Sequence, residues 1–235
     1  MIIEFNKNIG ETMNDVINRF RTEYNLKKEE KVSFAGRLDP LAFGKIILLT
    51  ESDKYDQNKF CNFDKIYTFS VLHDFQTDTY DVMGLVNGFN SFNKIVIEEP
   101  ILINQTYPPY SSKTINVDGK MTKLWELAKQ NNLSDKKIPT KEVNIYYVKK
   151  INHYEIKGNE LYDFISNSIN KVNGNFRQKE ILEKWQSVID LDTIYKVSDY
   201  ETKISSGGYV RSIANNMNGA AFNICRQQYI TKLTK

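Results

Sequence analysis

Asp39 is the side chain in this 235-residue sequence whose setting first suggests chemistry. It sits in the stretch Gly36-Arg37-Leu38-Asp39-Pro40-Leu41-Ala42-Phe43-Gly44. Pro40 fixes its own φ and biases Asp39 away from the helical region, while Gly36 and Gly44 permit sharp turns or the close approach of a partner. An acid in so stiff a loop, just before the apolar run Ile46-Ile47-Leu48-Leu49, is placed for carboxylate chemistry at a strand edge. The same residues also spell a plain Asp-Pro turn, which local grammar alone favours. A second polar loop, Phe75 to Asp81, carries three hydroxyls and two carboxylates that cannot pack as core. Other chemistries lack their residues. Cys61 and Cys225 stand alone without metal-ligand spacing and read as reduced thiols of a cytosolic-type compartment. His73 and His153 suggest neither a zinc site nor a histidine triad.

Stepping out to the elements, residues 12–24 form the first expected helix. Thr12 and Asp15 have capping-box spacing, and Met13, Val16 or Ile17, Phe20 and Tyr24 share a face. After the charged connector Lys27 to Lys31 and the Asp39 loop, a strand is expected at 46–50. Residues 65–72 alternate, with Tyr67, Phe69 and Val71 inward, and predict a half-buried strand. An apolar run at 95–97, a stiff Tyr107-Pro108-Pro109-Tyr110 segment, a helix at 122–130 and alternation at Val143, Ile145 and Tyr147 follow. A shorter strand near 161–165, a helix at 177–189 and a Gly207-Gly208 turn into a final helix complete the pass. Strands and helices are interspersed without regular βαβ alternation, which predicts an α+β fold with a mixed, mostly antiparallel central sheet and flanking helices.

Bulk properties narrow the function. A hydrophobic content of 40% and a charged content of 26% suit a soluble globular chain with one substantial core. The start lacks a signal-peptide layout, and no apolar run approaches membrane-spanning length. A net charge of +3 is only mildly basic, so a nucleic-acid partner requires its positive field concentrated in a patch.

Taken together, these pieces resemble the TruB family of pseudouridine synthases. The family's Gly-x-Leu-Asp-Pro-Leu-Ala-x-Gly loop is matched by Gly36 to Gly44. Its Lys-x-Tyr and Thr-Asp-Thr-x-Asp-x-x-Gly segments are matched by Lys65-Ile66-Tyr67 and Thr77 to Gly84. Pro108 to Lys113 with Gly119-Lys120, and Gly207-Gly208-Tyr209-Val210-Arg211-Ser212, are similar to two further motifs. A weaker match covers Lys7, Gly10 and Thr12. No single motif is specific; four in order over 5–125 and 200–215 are. The sequence also departs from the family. Phe34 stands where a histidine is usual, Asn8 replaces a proline, and a terminal Leu-Arg-Arg is reduced to Cys225-Arg226-Gln227. Residues 155–195 are longer than the usual connection, and no segment resembling the family's RNA-binding PUA domain follows. Gly-Arg-Leu-Asp itself is reminiscent of the RsuA branch.

The resemblance implies one catalytic domain over 1–235 with a pseudouridine synthase fold and a catalytic cleft. It implies that uracil is detached from C1′ of its ribose, turned and rejoined through C5, with no metal and no cofactor needed and with Asp39 as nucleophile or base. Arg211 is then the expected counter-charge, since a guanidinium holds a carboxylate bidentately. Tyr67 is the expected stacking face for the flipped-out base, and Tyr209 a contact to base or backbone. Gly36 and Arg37 border the pocket. Lys7, Lys31, Arg37, Lys65, Lys113, Lys120 and Lys123 are expected to line the RNA-facing cleft and meet phosphates, and Phe34 to wedge into the RNA loop. The expected partner is RNA, with the uridine of the tRNA T-arm loop as substrate, acted on by a cytoplasmic monomer without membrane contact. Two alternatives stand beside this: an RNA-binding or tRNA-folding chaperone on the same scaffold, and a synthase acting on ribosomal or viral RNA. The 155–195 segment is either core and decoration or a substitute for the PUA grip on tRNA.

Overall fold

Apolar residues at strand and helix spacing build three packed layers in the computed structural model, which describes residues 1–50, 53, 56–133 and 138–230. In chain order the elements are β1 (Ile2–Lys7), α1 (Met13–Glu23), β2 (Val32–Ala35), β3 (Phe43–Thr50), α2 (Gln57–Cys61), β4 (Asp64–His73), β5 (Phe75–Thr77), β6 (Val86–Phe89) and β7 (Ile101–Thr106). The second half continues with β8 (Thr114–Val117), β9 (Lys120–Lys123), α3 (Leu124–Lys129), β10 (Thr140–Lys157), α4 (Gly158–Asn170), α5 (Gln178–Val188), β11 (Ile194–Ile204), α6 (Val210–Asn216) and β12 (Gly219–Ile230). Among the described residues eight strands make one sheet, in the order β1-β3-β12-β4-β11-β10-β7, with β2 also on β3. Every pairing in it is antiparallel except β12 with β3. This is the expected mixed α+β sheet. Two small hairpins, β5–β6 and β8–β9, stand beside it.

Helix α1 begins where its cap dictates. Thr12 Oγ1 accepts from the Asp15 N–H, and Asp15 Oδ2 accepts from the Thr12 N–H, closing the capping box. Its buried face, Met13, Val16 and Phe20, packs on Phe5, Ile46 and Leu48 of β1 and β3.

Strand β4 is central rather than half-buried. Tyr67, Phe69 and Val71 face Ile213 and Ala214 of α6, while Leu72 on the opposite face packs with Ile165 and Trp185. Those last two residues belong to a helical hairpin, α4–α5, at the place where a strand near 161–165 is expected. Leu161, Ile165 and Ile169 are all fully buried at four-residue spacing, so the period is helical; five residues of it imitate alternation. The hairpin replaces the turn between two antiparallel neighbours, since Lys157 of β10 pairs with Ile194 of β11. It covers the second face of the sheet, which is why β4 shows none to solvent. The expected helix at 122–130 begins as strand, in β9, and becomes helical only at Leu124. The 95–97 run is not a strand; Ile97 makes an isolated bridge to Val148.

Candidate active site

Asp39 lies between two fixed points of its loop. Gly36 and Gly44 take left-handed backbone with φ of +74° and +97°, and a Cβ at Gly44 would collide with the Arg226 carbonyl oxygen. The Asp39 carbonyl accepts from the Ala42 N–H at 3.0 Å, so the Asp-Pro turn is present and the acid sits on it.

Arg211 arrives from the start of α6, which buries it at 3% exposure in the middle of the cleft. Its Nε is 2.8 Å from Asp39 Oδ2 and 3.6 Å from Asp81 Oδ2. Its remaining nitrogens donate to the Thr79 carbonyl at 2.6 Å and the Tyr110 carbonyl at 3.3 Å. Burial works against the charged guanidinium, but Asp39 and Asp81 outweigh it and hold Arg211 above its ordinary value. Arg211 is thus a fixed cation. Asp39 is the more accessible of the two acids, its side chain 34% exposed against 10% for Asp81. Asp81 accepts from Thr79 Oγ1 at 2.6 Å and from the Met83 N–H at 3.0 Å; burial pushes its carboxyl up to about 6. The Phe75–Asp81 loop therefore contributes a second carboxylate to Arg211 besides hydrogen bonds that shape the cleft.

A cavity of about 290 Å³ opens beside the pair, near the lower end of small-molecule sites. Leu38, Asp39, Lys65, Tyr67, Tyr209 and Arg226 are among its walls, and Gly36 and Arg37 border it. Tyr67, 7% exposed on β4, accepts from Arg226 Nε at 3.0 Å, which leaves its own proton free to donate. The Tyr209 backbone is clamped by the Gln105 amide, donating to Oε1 at 2.7 Å and accepting from Nε2 at 3.0 Å. Burial, then Asp39, pushes the Tyr209 phenol up to about 12, so it stays a neutral donor.

Arg226 is the residue that sequence reading passed over. Its register partner across the sheet is Tyr67, and it is 2% exposed. Besides Tyr67 it donates to the Gly36 and Arg37 carbonyls, at 3.0 and 3.1 Å, and to the Tyr229 hydroxyl at 2.6 Å. One side chain thus ties Tyr67 to the Asp39 loop. Its signal in the sequence was the surviving arginine of Cys225-Arg226-Gln227.

Several expected phosphate contacts are corrected by the geometry. Lys7 is 1% exposed, and its Nζ donates to the carbonyls of Asn8, Pro40 and Ala42 at 3.1, 2.9 and 2.6 Å; it braces the Asp39 loop from behind. Lys65 does line the cavity but spends its Nζ on the Cys61 and Phe63 carbonyls, at 2.8 and 2.6 Å. Burial lowers both lysines to about 8. Lys31 lies in a separate surface hollow with Arg21 and Lys28. Lys113, Lys120 and Lys123 are exposed on or beside the β8–β9 hairpin, with Lys113 Nζ 5.4 Å from the Tyr107 ring. Phe34 is half-buried on β2 against the α1 cluster, with the Arg37 guanidinium 5.7 Å from its ring, and it lines neither cavity beside Asp39.

Comparison with known proteins adds an independent line. The family model for TruB family pseudouridylate synthase (N terminal domain) matches residues 23–162. A tRNA pseudouridine synthase B of Malacoplasma penetrans is 30% identical over 224 residues, covering 92% of this chain and 76% of that protein. The tRNA pseudouridine synthase B of Aquifex aeolicus is 29% identical over 212 residues, covering 87% of this chain but 58% of its own length. A chain in the crystal structure of a Cbf5-Nop10-Gar1 complex superposes with a TM-score of 0.49 at 14% identity, covering 97% of this chain and 48% of that one.

Proposed function

This chain belongs to the TruB family of pseudouridylate synthases, and from that premise we propose that it isomerises uridine to pseudouridine in tRNA, at the T-arm loop, with Asp39 as the reacting carboxylate. The N1–C1′ bond breaks, C5 joins C1′, the C5 hydrogen leaves as a proton and N1 takes a proton from solvent, so the uracil and ribose stay together and no oxidant is consumed. The observation that carries the reading is the 2.8 Å Asp39–Arg211 pair at the wall of a 290 Å³ cavity. Arg211 sets a fixed positive charge against Asp39 in a partly dry site, the counter-charge that a carboxylate nucleophile or base at C1′ needs. Tyr67 takes the face of the flipped-out base, whose lost stacking is worth about 1–3 kcal/mol. Its phenol oxygen, which accepts from Arg226 Nε at 3.0 Å, belongs to a side chain lining the same pocket and takes part in proton transfer at C5. Tyr209 donates to the base or backbone. The exposed Arg37, Lys113, Lys120 and Lys123 meet phosphates outside the pocket. Residues 1–235 act as one catalytic domain, with the α4–α5 hairpin as an addition to it.

A chaperone on this scaffold would need RNA affinity but no buried Arg211 between two acids. Tritium release from [5-³H]uridine-labelled tRNA decides between them: the enzyme releases label with turnover, whereas a chaperone binds the RNA and releases none. Mapping the product by nucleotide in a mixed RNA pool tests the T-arm assignment, and pseudouridine confined to ribosomal RNA would overturn it.

A further inference from the structure

A second cavity, about 340 Å³, adjoins the first. The two share Arg37, Leu38, Asp39, Ser112 and Arg211, so the ion pair is the partition between them. Its other walls include Met13, Met83, Tyr110, Trp125, Phe176 and Arg177. Trp125 and Phe176 are large aromatic residues left 38% and 37% exposed, one from α3 and one from the connection between α4 and α5. The cavity is therefore finished by the very segment that replaces the β10–β11 turn. Arg177 fixes that connection in place: it pairs with Asp78 at 2.8 Å and lies 4.3 Å from the centre of the Tyr110 ring. Lys123 and Lys129 also line the cavity, with Lys123 Nζ 5.8 Å from the Trp125 ring. Asp39 and Asp81 share Arg211, and Arg177 is paired with Asp78, so Lys123, Lys129 and the exposed Arg37 set the sign of the rim.

We propose that this cavity seats an unpaired nucleotide flanking the target uridine, its base stacked on Phe176 and Trp125 and its phosphate met by Lys123 and Lys129. The inference rests on the reading of the first cavity as the uridine pocket. Aromatic faces interleaved with cations are how unpaired nucleic acid is held without base-specific hydrogen bonds. A small apolar ligand would use the same walls but not the lysines. The shared partition places a neighbouring nucleotide one side-chain pair away from the reacting one.

The experiment uses a T-arm stem-loop RNA, intact or abasic at the position 5′ or 3′ of the target. Turnover and affinity, by tritium release and fluorescence anisotropy, are measured for wild type, Phe176→Ala and Phe176→Trp. Loss of one stacked base lowers affinity and kcat/KM by about five- to a hundred-fold. Phe176→Ala is expected to show this loss on intact RNA, and Phe176→Trp to recover it. One abasic RNA should cost wild type a similar factor and cost Phe176→Ala little more, because both remove the same contact. Unchanged affinity in Phe176→Ala, losses that multiply with both abasic sites, or a Phe176→Trp as weak as Ala would overturn the proposal. Binding without product in wild type would instead refute the isomerase reading, and the anisotropy comparison would still decide this one.

Discussion

Arg211 shows how much one residue is asked to do. It is buried, it neutralises two carboxylates unequally, and it spends its other donors on the carbonyls of two separate loops. A lysine there carries the charge but has no planar fork. Arg211→Lys is therefore expected to fold, with a melting temperature within several degrees of wild type, and to lose most tritium release; a fully active variant would remove the ion-pair argument. Asp81 makes a separate prediction. Burial raises its carboxyl from 3.8 to about 6, so between those pH values the folded state holds a proton that the unfolded state has released. Stability contributed by this group is thus greatest in acid and declines as pH climbs from about 4 to 6. Asp81→Asn does not titrate, so the stability of wild type relative to this variant should fall across that window, measured by urea unfolding at several pH values. Parallel curves would contradict it.

At the scale of elements, legibility followed how local the cause was. The Thr12–Asp15 cap and the glycine-bracketed Asp39 loop are short-range devices, and both read directly from residue types. Helix α4 was misread because Leu161 and Ile165 alone fit two periods, and only Ile169 settles it. Lys7 and Lys65 were misread for a different reason: a sequence displays a charge, while burial is decided by strands distant along the chain. Arg226 was passed over because its partner Tyr67 lies 159 residues away and meets it only through sheet register. Lys7 yields the prediction for this scale. Lys7→Met keeps the apolar stem but removes the Ala42 carbonyl's 2.6 Å donor, while the Asn8 and Pro40 carbonyls keep the Glu11 and Gly10 N–H groups. One unsatisfied buried acceptor costs about 1–3 kcal/mol, so a loss of that size is expected. Turnover should fall with it, since the Asp39 loop loses its brace. Equal urea midpoints for variant and wild type would show that the brace is dispensable.

Over the whole molecule, the sheet does one thing for function: it brings the first quarter of the chain, through β3, against the last, through β12 and α6. The α4–α5 hairpin seals the opposite face and, with Trp185 Nε1 donating to the Val82 carbonyl at 3.0 Å, holds the loop that carries Asp81. On the proposed reading, grip on RNA and chemistry on it are separable properties, the first spread over exposed cations and the second concentrated at one carboxylate. Asp39→Asn, assayed for pseudouridine formation and for tRNA affinity in the same preparation, measures that separation directly. The expected result is no detectable product with affinity within a few-fold of wild type. Product formed at a rate near that of wild type would contradict the assignment of Asp39.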